Sequence, residues 1–223
     1  MKLQKNKDHS LLSIYETLFA HYGDLKWWPA KTPFEVIVGA ILTQNTNWSN
    51  VELAIANFGN DLTPEFIANV DIMKLASIIR PAGFFNQKAN YLKAVTAWFA
   101  GYDYNVTSVQ QEPLSKLRSE LLSVKGIGQE TADSILLYTF GFPTFVVDAY
   151  TIRLCERFPV EAGSKYSDVK SVFENSLPLF ANLYNNFHAF IVINAKEHCR
   201  KRKPLCEVCP LGDICGKVAL GVL

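Results

Sequence analysis

Helical periodicity runs through almost all of this chain of 223 residues and limits its fold more than any other feature. Apolar residues recur at three- and four-residue steps, as in residues 11–22, which follow a Ser10 cap and end before Gly23. No segment alternates well enough to predict a strand, although the apolar residues 145–147 suit an extended segment. The sequence therefore predicts an all-α protein of about ten short helices, packed as one or two bundles. After the first helix, helices are predicted over residues 34–42, 48–58, 64–79, 86–100, 113–123, 129–140, 148–157, 167–176 and 180–197.

The composition is that of a globular protein with a substantial core. Hydrophobic residues make up 49% of the chain and charged residues 19%, both ordinary values for such proteins. No run of about 18 apolar residues predicts a membrane span. The opening MKLQKNKDHS segment is not followed by a cleavage-site pattern. We therefore expect an unprocessed cytoplasmic protein.

Four of the five cysteines lie close together near the C-terminus, with the spacing C-x6-C-x2-C-x5-C. Four soft thiolates in a short segment can ligate a metal. Structural zinc sites more often pair two C-x2-C knuckles, and this run has only one. The spacing therefore favours an iron-sulfur cluster over zinc, while four unligated thiols would be prone to oxidation. The candidate ligands are Cys199, Cys206, Cys209 and Cys215.

A helix, a tight G-I-G turn and a second helix are predicted around residues 121–133. Glycines at 126 and 128 allow a tight turn and bring bare amides near an anion, at the positive end of the following helix. Such a turn can bind a DNA phosphate without reading a base, but an ordinary interhelical turn would have the same pattern. Asp148, 20 residues beyond Gly128, is either a functional carboxylate or the cap of the helix that begins at Ala149.

In combination, these segments resemble the endonuclease III family of helix-hairpin-helix DNA glycosylases. The resemblance rests on L-T-Q-N-T at residues 42–46, the G-I-G turn, V-D at 147–148 and the cysteine spacing. It implies a six-helix domain over residues 32–142, which holds the hairpin, and a second helical domain formed by residues 1–31 and 143–223. The second domain would carry a 4Fe-4S cluster on the four clustered cysteines. It further implies that a monomer binds damaged double-stranded DNA, associates with the nucleoid when acting, and extrudes and removes a base.

Glu130 marks a departure from the bifunctional members of that family. Those members carry a lysine two positions after the second hairpin glycine, and its amine forms a Schiff base that permits strand cleavage. A carboxylate cannot form an imine, and Lys125 lies on the wrong side of the turn. The resemblance then implies a monofunctional mechanism in which Asp148 stabilises the oxocarbenium charge and activates water. Glu130 either positions water or substrate, or is a surface acid at a helix start.

Several segments are similar to bacterial 3-methyladenine DNA glycosylase III, in which an aromatic pocket stacks an N-alkylated purine. These segments are W-W-P at 27–29, L-T-Q-N-T, R-P-A-G-F-F-N-Q-K-A at 80–89 and K-G-I-G-Q-E at 125–130. The likeness implies a base pocket formed by Trp27, Trp28 and Trp48, because an electron-rich indole favours a cationic base. Core packing is the alternative role for Trp27 and Trp28.

Three features depart from that relative. Trp48 replaces a phenylalanine of its pocket, and Phe190 stands at the position of its modified lysine. The relative also lacks the cysteine cluster that this chain retains. The pocket is therefore open to a different lesion.

Further candidate DNA contacts are polar or basic. Gln44 occupies the place of a side chain that fills the gap left by the extruded nucleotide, or it is a turn residue. Lys196 matches a second lysine of the relative. A basic loop lies between the first two clustered cysteines and would bind phosphates, although such a run is often only a solvated surface. The basic loop comprises Arg200, Lys201, Arg202 and Lys203.

The leading hypothesis from the sequence is a monofunctional DNA N-glycosylase that removes alkylated purines such as 3-methyladenine. Two alternatives are a bifunctional glycosylase and abasic-site lyase acting on oxidised pyrimidines, and a non-catalytic protein that binds damaged DNA.

Overall fold

The computed structural model describes residues 10–25, 27–158 and 160–215. Over these residues the secondary structure is entirely helical, which confirms the predicted all-α class, with twelve α-helices rather than about ten. None of the helices in this described part combines the length and apolar character needed to cross a membrane. The helices are α1 (Leu11–Tyr22), α2 (Pro33–Leu42), α3 (Trp48–Ala56), α4 (Pro64–Asn69), α5 (Ile72–Ile78), α6 (Phe85–Ala100), α7 (Val106–Gln110), α8 (Leu114–Ser123), α9 (Gln129–Ser134), α10 (Ala149–Arg157), α11 (Tyr166–Ser176) and α12 (Ala181–Glu197).

Single polar side chains set many of the helix ends. The Ser10 hydroxyl accepts from the Ser13 amide at the start of α1, and Thr32 does the same for α2, as N-caps do. The predicted helix over 64–79 is wrong as one element. Asp71 accepts from the amides of Met73 and Lys74 and so starts a new helix, α5.

Two further elements differ from the sequence prediction. The predicted helix over 129–140 changes after α9 into a π-helical turn, Ile135–Thr139. Helix α7 was not predicted, and the Asn105 side chain caps it. Short 3-10 turns occupy Arg80–Ala82 and Cys206–Val208.

The chain forms two compact units, which we call the terminal unit (Met1–Trp27 with Pro143–Leu223) and the central unit (Trp28–Phe142). Aromatic residues dominate the core of the terminal unit, where Phe145 stacks on Phe173 with 4.2 Å between ring centroids and Phe187 lies against both. Aliphatic residues from α2, α6 and the π-helical turn fill the core of the central unit, together with Phe99. Each unit therefore has its own apolar core.

A buried ion pair holds together the two helices on either side of the G-I-G turn. Arg118 of α8 donates from Nε to Asp133 Oδ1 at 2.8 Å and from Nη2 to Oδ2 at 3.1 Å. The Asp133 side chain is completely buried, whereas that of Arg118 is partly exposed. Because the pair is bidentate, it fixes the angle of α9 relative to α8 as well as their separation.

Lys88 of α6 is a buried lysine that fixes the end of α2. Its Nζ donates to the carbonyl oxygens of Leu42, at 2.9 Å, and Ala82, at 2.8 Å. The residue is only 1% exposed, and burial lowers its pKa to about 8. Lys88 thereby positions the chain where α2 passes into the segment that carries Gln44.

We predict that this lysine gives the protein a pH-dependent stability above neutrality. The folded protein binds the Lys88 proton less tightly than the unfolded chain does, so the free energy of unfolding rises with pH between about 8 and 10.5. Between pH 7.5 and 10 the Lys88 contribution amounts to about 2 kcal/mol. Urea unfolding at both pH values should show this rise in the wild type relative to Lys88→Met.

Lys93→Met is the matched control, because Lys93 also lies on α6 and donates to two backbone carbonyls, those of Ala68 and Val70. Lys93 is partly exposed, so its variant should keep the wild-type pH dependence. An equal pH dependence in Lys88→Met and the wild type would contradict the prediction.

Candidate functional site

Asp148 lies at the N-terminus of α10, where it is both a helix cap and a largely buried carboxylate. Its Oδ1 accepts from the amides of Tyr150, at 2.9 Å, and Thr151, at 2.7 Å, and from the Thr151 hydroxyl, at 3.0 Å. Its Oδ2 lies 3.5 Å from Nε2 of His188 on α12, and the two side chains are 12% and 9% exposed. The cap therefore occupies Oδ1, and His188 lies beside Oδ2.

The surroundings of Asp148 favour its ionised form. Burial by itself raises the pKa of the carboxyl, but the attraction of His188 and the hydrogen bonds from His188 and Thr151 outweigh burial and lower the pKa below its ordinary value. Three hydrogen-bond donors at the positive end of a helix stabilise the charged form of a carboxylate. Asp148 is therefore charged at neutral pH and held in one orientation.

The two hairpin glycines have different local surroundings. Gly126 has a positive φ of +88°, and a Cβ there would lie 2.2 Å from the ring of Tyr91. No larger residue fits this backbone without moving the ring. A Cβ on Gly128 would meet nothing within 4 Å. The backbone at Gly128 is therefore open to close approach, while Gly126 is packed against the protein.

Gln44 links the L-T-Q-N-T segment to the hairpin. Its Nε2 donates to the carbonyl oxygen of Gly126 and to the hydroxyl of Thr131 on α9, both at 3.0 Å. The next residue, Asn45, adopts a left-handed conformation with a φ of 52°. Two segments that are 82 residues apart in sequence thus share one polar contact inside the central unit.

Glu130 lies in the first turn of α9, where its side chain is exposed. A negative charge at this position is compatible with the helix dipole. Lys125, on the other side of the turn, is also exposed. The structure places a carboxylate rather than an amine immediately after the hairpin.

An aromatic cluster in the central unit is built around Trp28. Its ring lies 5.5 Å from that of Trp48 at 84°, and 4.9 Å from that of Tyr138 at 37°. A Cβ on Gly39 would lie 3.2 Å from the Trp28 ring, so the indole rests directly on α2. Trp28 and Trp48 are partly buried against the core. The two indole rings pack against the core, and all three residues of the cluster are also partly exposed to solvent. Tyr138 was not predicted from the sequence to belong to it.

Trp27 and Phe190 belong to the terminal unit. Trp27 is partly buried. Phe190 is fully buried, with its ring centroid 5.9 Å from those of Tyr15 and Tyr22. The residue at the place of the relative's modified lysine is therefore part of an apolar core.

The four clustered cysteines line a single cavity in the terminal unit, together with Leu154, Phe158, Asn194 and Gly212. A Cβ on Gly212 would lie 3.0 Å from the Cys206 carbonyl oxygen and 3.1 Å from that of Cys209. The backbone of this loop is therefore closely packed at Gly212. In the described ranges, no three His, Cys, Asp or Glu side chains form a site for a single metal ion.

Arg157, at the C-terminus of α10, contacts the cysteine loop twice. Its Nη1 donates to Cys199 Sγ at 3.0 Å, and its Nη2 donates to the Arg200 carbonyl oxygen at 3.0 Å. These contacts fix the start of the basic loop.

The basic loop and Lys196 are exposed. The side chains of residues 200–203 all face solvent, and Lys203 adopts a positive φ of 51°. The Leu205 amide donates to the His198 carbonyl oxygen at 2.9 Å and closes the loop. The cationic groups are thus held on a short turn that its own backbone bonds define.

Several residues of this site were missed by the sequence analysis. His188, Arg157 and Glu52, which accepts from the Trp48 indole N–H, are separate from every motif that was recognised. His188 lies within an apolar stretch of α12, where a lone polar residue is the available signal. Tyr91 and Lys88 have no sequence pattern that marks them. Their roles become visible only in the folded structure, where Tyr91 packs against Gly126 and Lys88 donates to the Leu42 carbonyl oxygen.

The chain is similar to several known proteins. Residues 38–178 match the HhH-GPD superfamily base excision DNA repair protein family. A provisionally named DNA repair glycosylase of Methanocaldococcus jannaschii is 47% identical over 96% of this chain and 99% of its own length. Endonuclease III of Sulfolobus acidocaldarius is 31% identical over 82% of this chain and 81% of its own length.

Solved structures share the fold. The 3-methyladenine DNA glycosylase of H. pylori, bound to 1,N6-ethenoadenine, has a TM-score of 0.70 and 29% identity, over 82% of this chain and 96% of that chain. A trapped endonuclease III–DNA covalent intermediate has a TM-score of 0.78 and 21% identity, over 94% and 95% of the two chains. The chain belongs to the HhH-GPD superfamily of base excision DNA repair proteins.

Proposed function

We propose that this protein is a monofunctional DNA N-glycosylase that releases N-alkylated purines from double-stranded DNA. The observation that carries the proposal is the Asp148 carboxylate, which is ionised and oriented while an exposed carboxylate, Glu130, occupies the place of the lysine nucleophile. The Asp148 carboxylate can activate a water molecule for attack, and Glu130 cannot supply the amine that a lyase requires.

In the proposed reaction, the bond between the sugar C1′ and the base nitrogen breaks, and the bonding electrons leave with the base. A cationic alkylated purine departs as a neutral molecule, so the leaving nitrogen needs no proton. The Asp148 carboxylate stabilises the developing oxocarbenium charge. A water molecule then adds its oxygen to C1′ and passes a proton to the carboxylate.

His188 is a positioning residue in this scheme. Its Nε2 lies against Asp148 Oδ2, while the α10 cap holds Oδ1. Contacts on both oxygens prevent the carboxyl from rotating. Because the orienting groups are in place before substrate binds, little reorganisation is needed at the transition state.

The aromatic cluster of the central unit supports an alkylated purine as substrate. Trp28, Trp48 and Tyr138 form a partly exposed group of aromatic rings, whose faces are electron-rich. A purine that carries a positive charge gains cation–π attraction on such faces, whereas its neutral parent gains only stacking. The H. pylori glycosylase that shares the fold was solved with an alkylated purine derivative, ethenoadenine.

The hairpin and the basic loop supply DNA contacts that do not depend on sequence. The open backbone at Gly128 suits the approach of a phosphate, and the exposed cations of residues 196–203 add salt-dependent attraction. Gln44 is the polar side chain we assign to the space left by the flipped nucleotide. Its bonds to the hairpin would make its insertion depend on hairpin position.

We further propose that Cys199, Cys206, Cys209 and Cys215 hold a 4Fe-4S cluster. The proposal is supported by the four cysteines lining one cavity and by the close packing of Gly212 against the carbonyl groups of Cys206 and Cys209. When bound, such a cluster would fix this loop through four iron–sulfur bonds. Cys199 and Cys206 flank the basic loop, so their ligation would also hold that loop in place.

The proposed activity predicts base release without strand scission. Duplexes that each contain one lesion, 7-methylguanine, 1,N6-ethenoadenine, thymine glycol or none, should be incubated with the protein and analysed with and without alkali. We expect free alkylated base, and strand breaks only after alkali. Strand breaks before alkali together with a borohydride-trapped adduct would show a bifunctional lyase, and binding without release would show a damage-binding protein.

Asp148→Asn should lower the rate of base release by roughly 10²–10⁴-fold with little change in DNA affinity. Asparagine caps helices as well as aspartate does, so α10 keeps its start. Asp71→Asn is the matched control, since Asp71 caps α5 through two amides in the same way. Single-turnover release and DNA binding measured on both variants test the assignment. An Asp148→Asn rate equal to that of the control would overturn it.

Protein purified without oxygen should contain about four iron atoms and four acid-labile sulfides per chain. Cys209→Ser should lose most of this content. Cys155→Ser should keep it, because Cys155 is buried apart from the cluster and burial raises the pKa of its thiol to about 11. Stoichiometric zinc without iron would contradict the cluster assignment.

A further inference from the structure

Trp48 and Glu52 form a hydrogen-bonded pair on one face of α3. Trp48 is the first residue of the helix, and Glu52 follows one turn later. The indole Nε1 donates to Glu52 Oε1 at 2.9 Å. The Trp48 ring packs partly against the core and meets Trp28 edge to face, whereas the Glu52 side chain is exposed.

We propose that Glu52 is a specificity-determining residue, which acts through Trp48 to favour cationic bases over neutral ones. The inference rests on the proposed function, in which Trp48 contacts the base. In this proposal the Glu52 carboxylate contacts the Trp48 ring, and it does not contact the base.

Hydrogen bonding to an anion changes the electrostatics of the indole. When an N–H donates to a carboxylate, electron density shifts toward the ring, so its face becomes more negative. A negative ring face attracts a cation and gives a neutral purine little additional attraction. The negative charge of Glu52 itself also attracts a cationic base. Solvent weakens this attraction because the Glu52 side chain is exposed.

The indole N–H gives this pair its significance. A phenylalanine at position 48 would have no N–H to donate and could not be polarised in this way. Trp48 therefore adds a larger ring and also a connection between that ring and a negative charge. A purely structural helix contact at i and i+4 would stabilise α3 but would not distinguish base charges.

The test uses Glu52→Gln, which keeps an acceptor for the indole N–H and removes the charge. Single-turnover release should be measured for 7-methylguanine, which is cationic, and for 1,N6-ethenoadenine, which is neutral. We expect the ratio of the two rates to fall about two- to fivefold in the variant, and the difference from the wild type to shrink as salt is raised. Glu65→Gln removes an exposed charge from the same unit and should leave the ratio unchanged.

Trp48→Phe and the double variant show whether Glu52 acts through the indole. If it does, Trp48→Phe lowers the ratio, and adding Glu52→Gln lowers it little further, so that the two effects are not additive. An unchanged ratio in Glu52→Gln, an equal change in Glu65→Gln, or fully additive effects would each overturn the inference.

Binding of nucleosides separates this inference from the proposed activity. Tryptophan fluorescence quenching by 7-methylguanosine, compared with guanosine, requires no catalysis. If the wild type releases no base, the proposed function fails. The inference is then supported if Glu52→Gln reduces the preference for the methylated nucleoside, and it is overturned if the preference is absent or unchanged.

Discussion

The capping of α10 by Asp148 is the interaction on which the proposed chemistry depends. Burial by itself raises the pKa of this carboxyl, and only its ionised form can stabilise positive charge. The attraction and hydrogen bond of His188, together with the amide and hydroxyl of Thr151, outweigh burial and lower the pKa of Asp148. One residue can therefore serve both as the cap of α10 and as the carboxylate of the proposed reaction, because the cap uses Oδ1 while Oδ2 faces His188. Serine, threonine or asparagine could cap this helix as well, so the charge of Asp148 is not required for the start of α10.

The central unit fixes its loops in a different way, by burying polar groups that have defined partners. Lys88 binds the carbonyl at the end of α2, and Gln44, two residues further on, binds the hairpin carbonyl of Gly126. The hairpin in turn packs its Gly126 against Tyr91, and Arg118 binds Asp133 behind it. Because a buried polar group without a partner is costly, each of these contacts excludes other positions of the loop. The result is a turn whose exposed backbone, at Gly128, is held by groups beneath it.

Local signals in the sequence predicted the helices well where one side chain decides an end, as at Ser10 and Thr32. They failed at Asp71, where the apolar periodicity continues across a capped break, and at Ile135–Thr139, where the helix widens without a local marker. Asp148 and the cysteines could be selected because they belong to recognisable motifs. His188 could not, because its partner lies 40 residues earlier in the chain and only folding brings them together. Lys88 is similar, since its roles depend on carbonyls of Leu42 and Ala82 that carry no sequence signature.

Helix α10 connects the two chemically distinct parts of the terminal unit. Its first turn carries the Asp148 cap, and its last residue, Arg157, donates to a cluster cysteine and to the basic loop. The helix also packs along α12, which contributes His188 beside the carboxylate and leads directly into Cys199. A rigid helix of nine residues transmits displacement rather than absorbing it, so a loop held at one end restrains the carboxylate at the other. This gives a physical reason for the proposed cluster, although it takes no part in the proposed hydrolysis. By fixing the cysteine loop, the cluster would fix Arg157, and through α10 it would limit the movement of the Asp148 carboxylate.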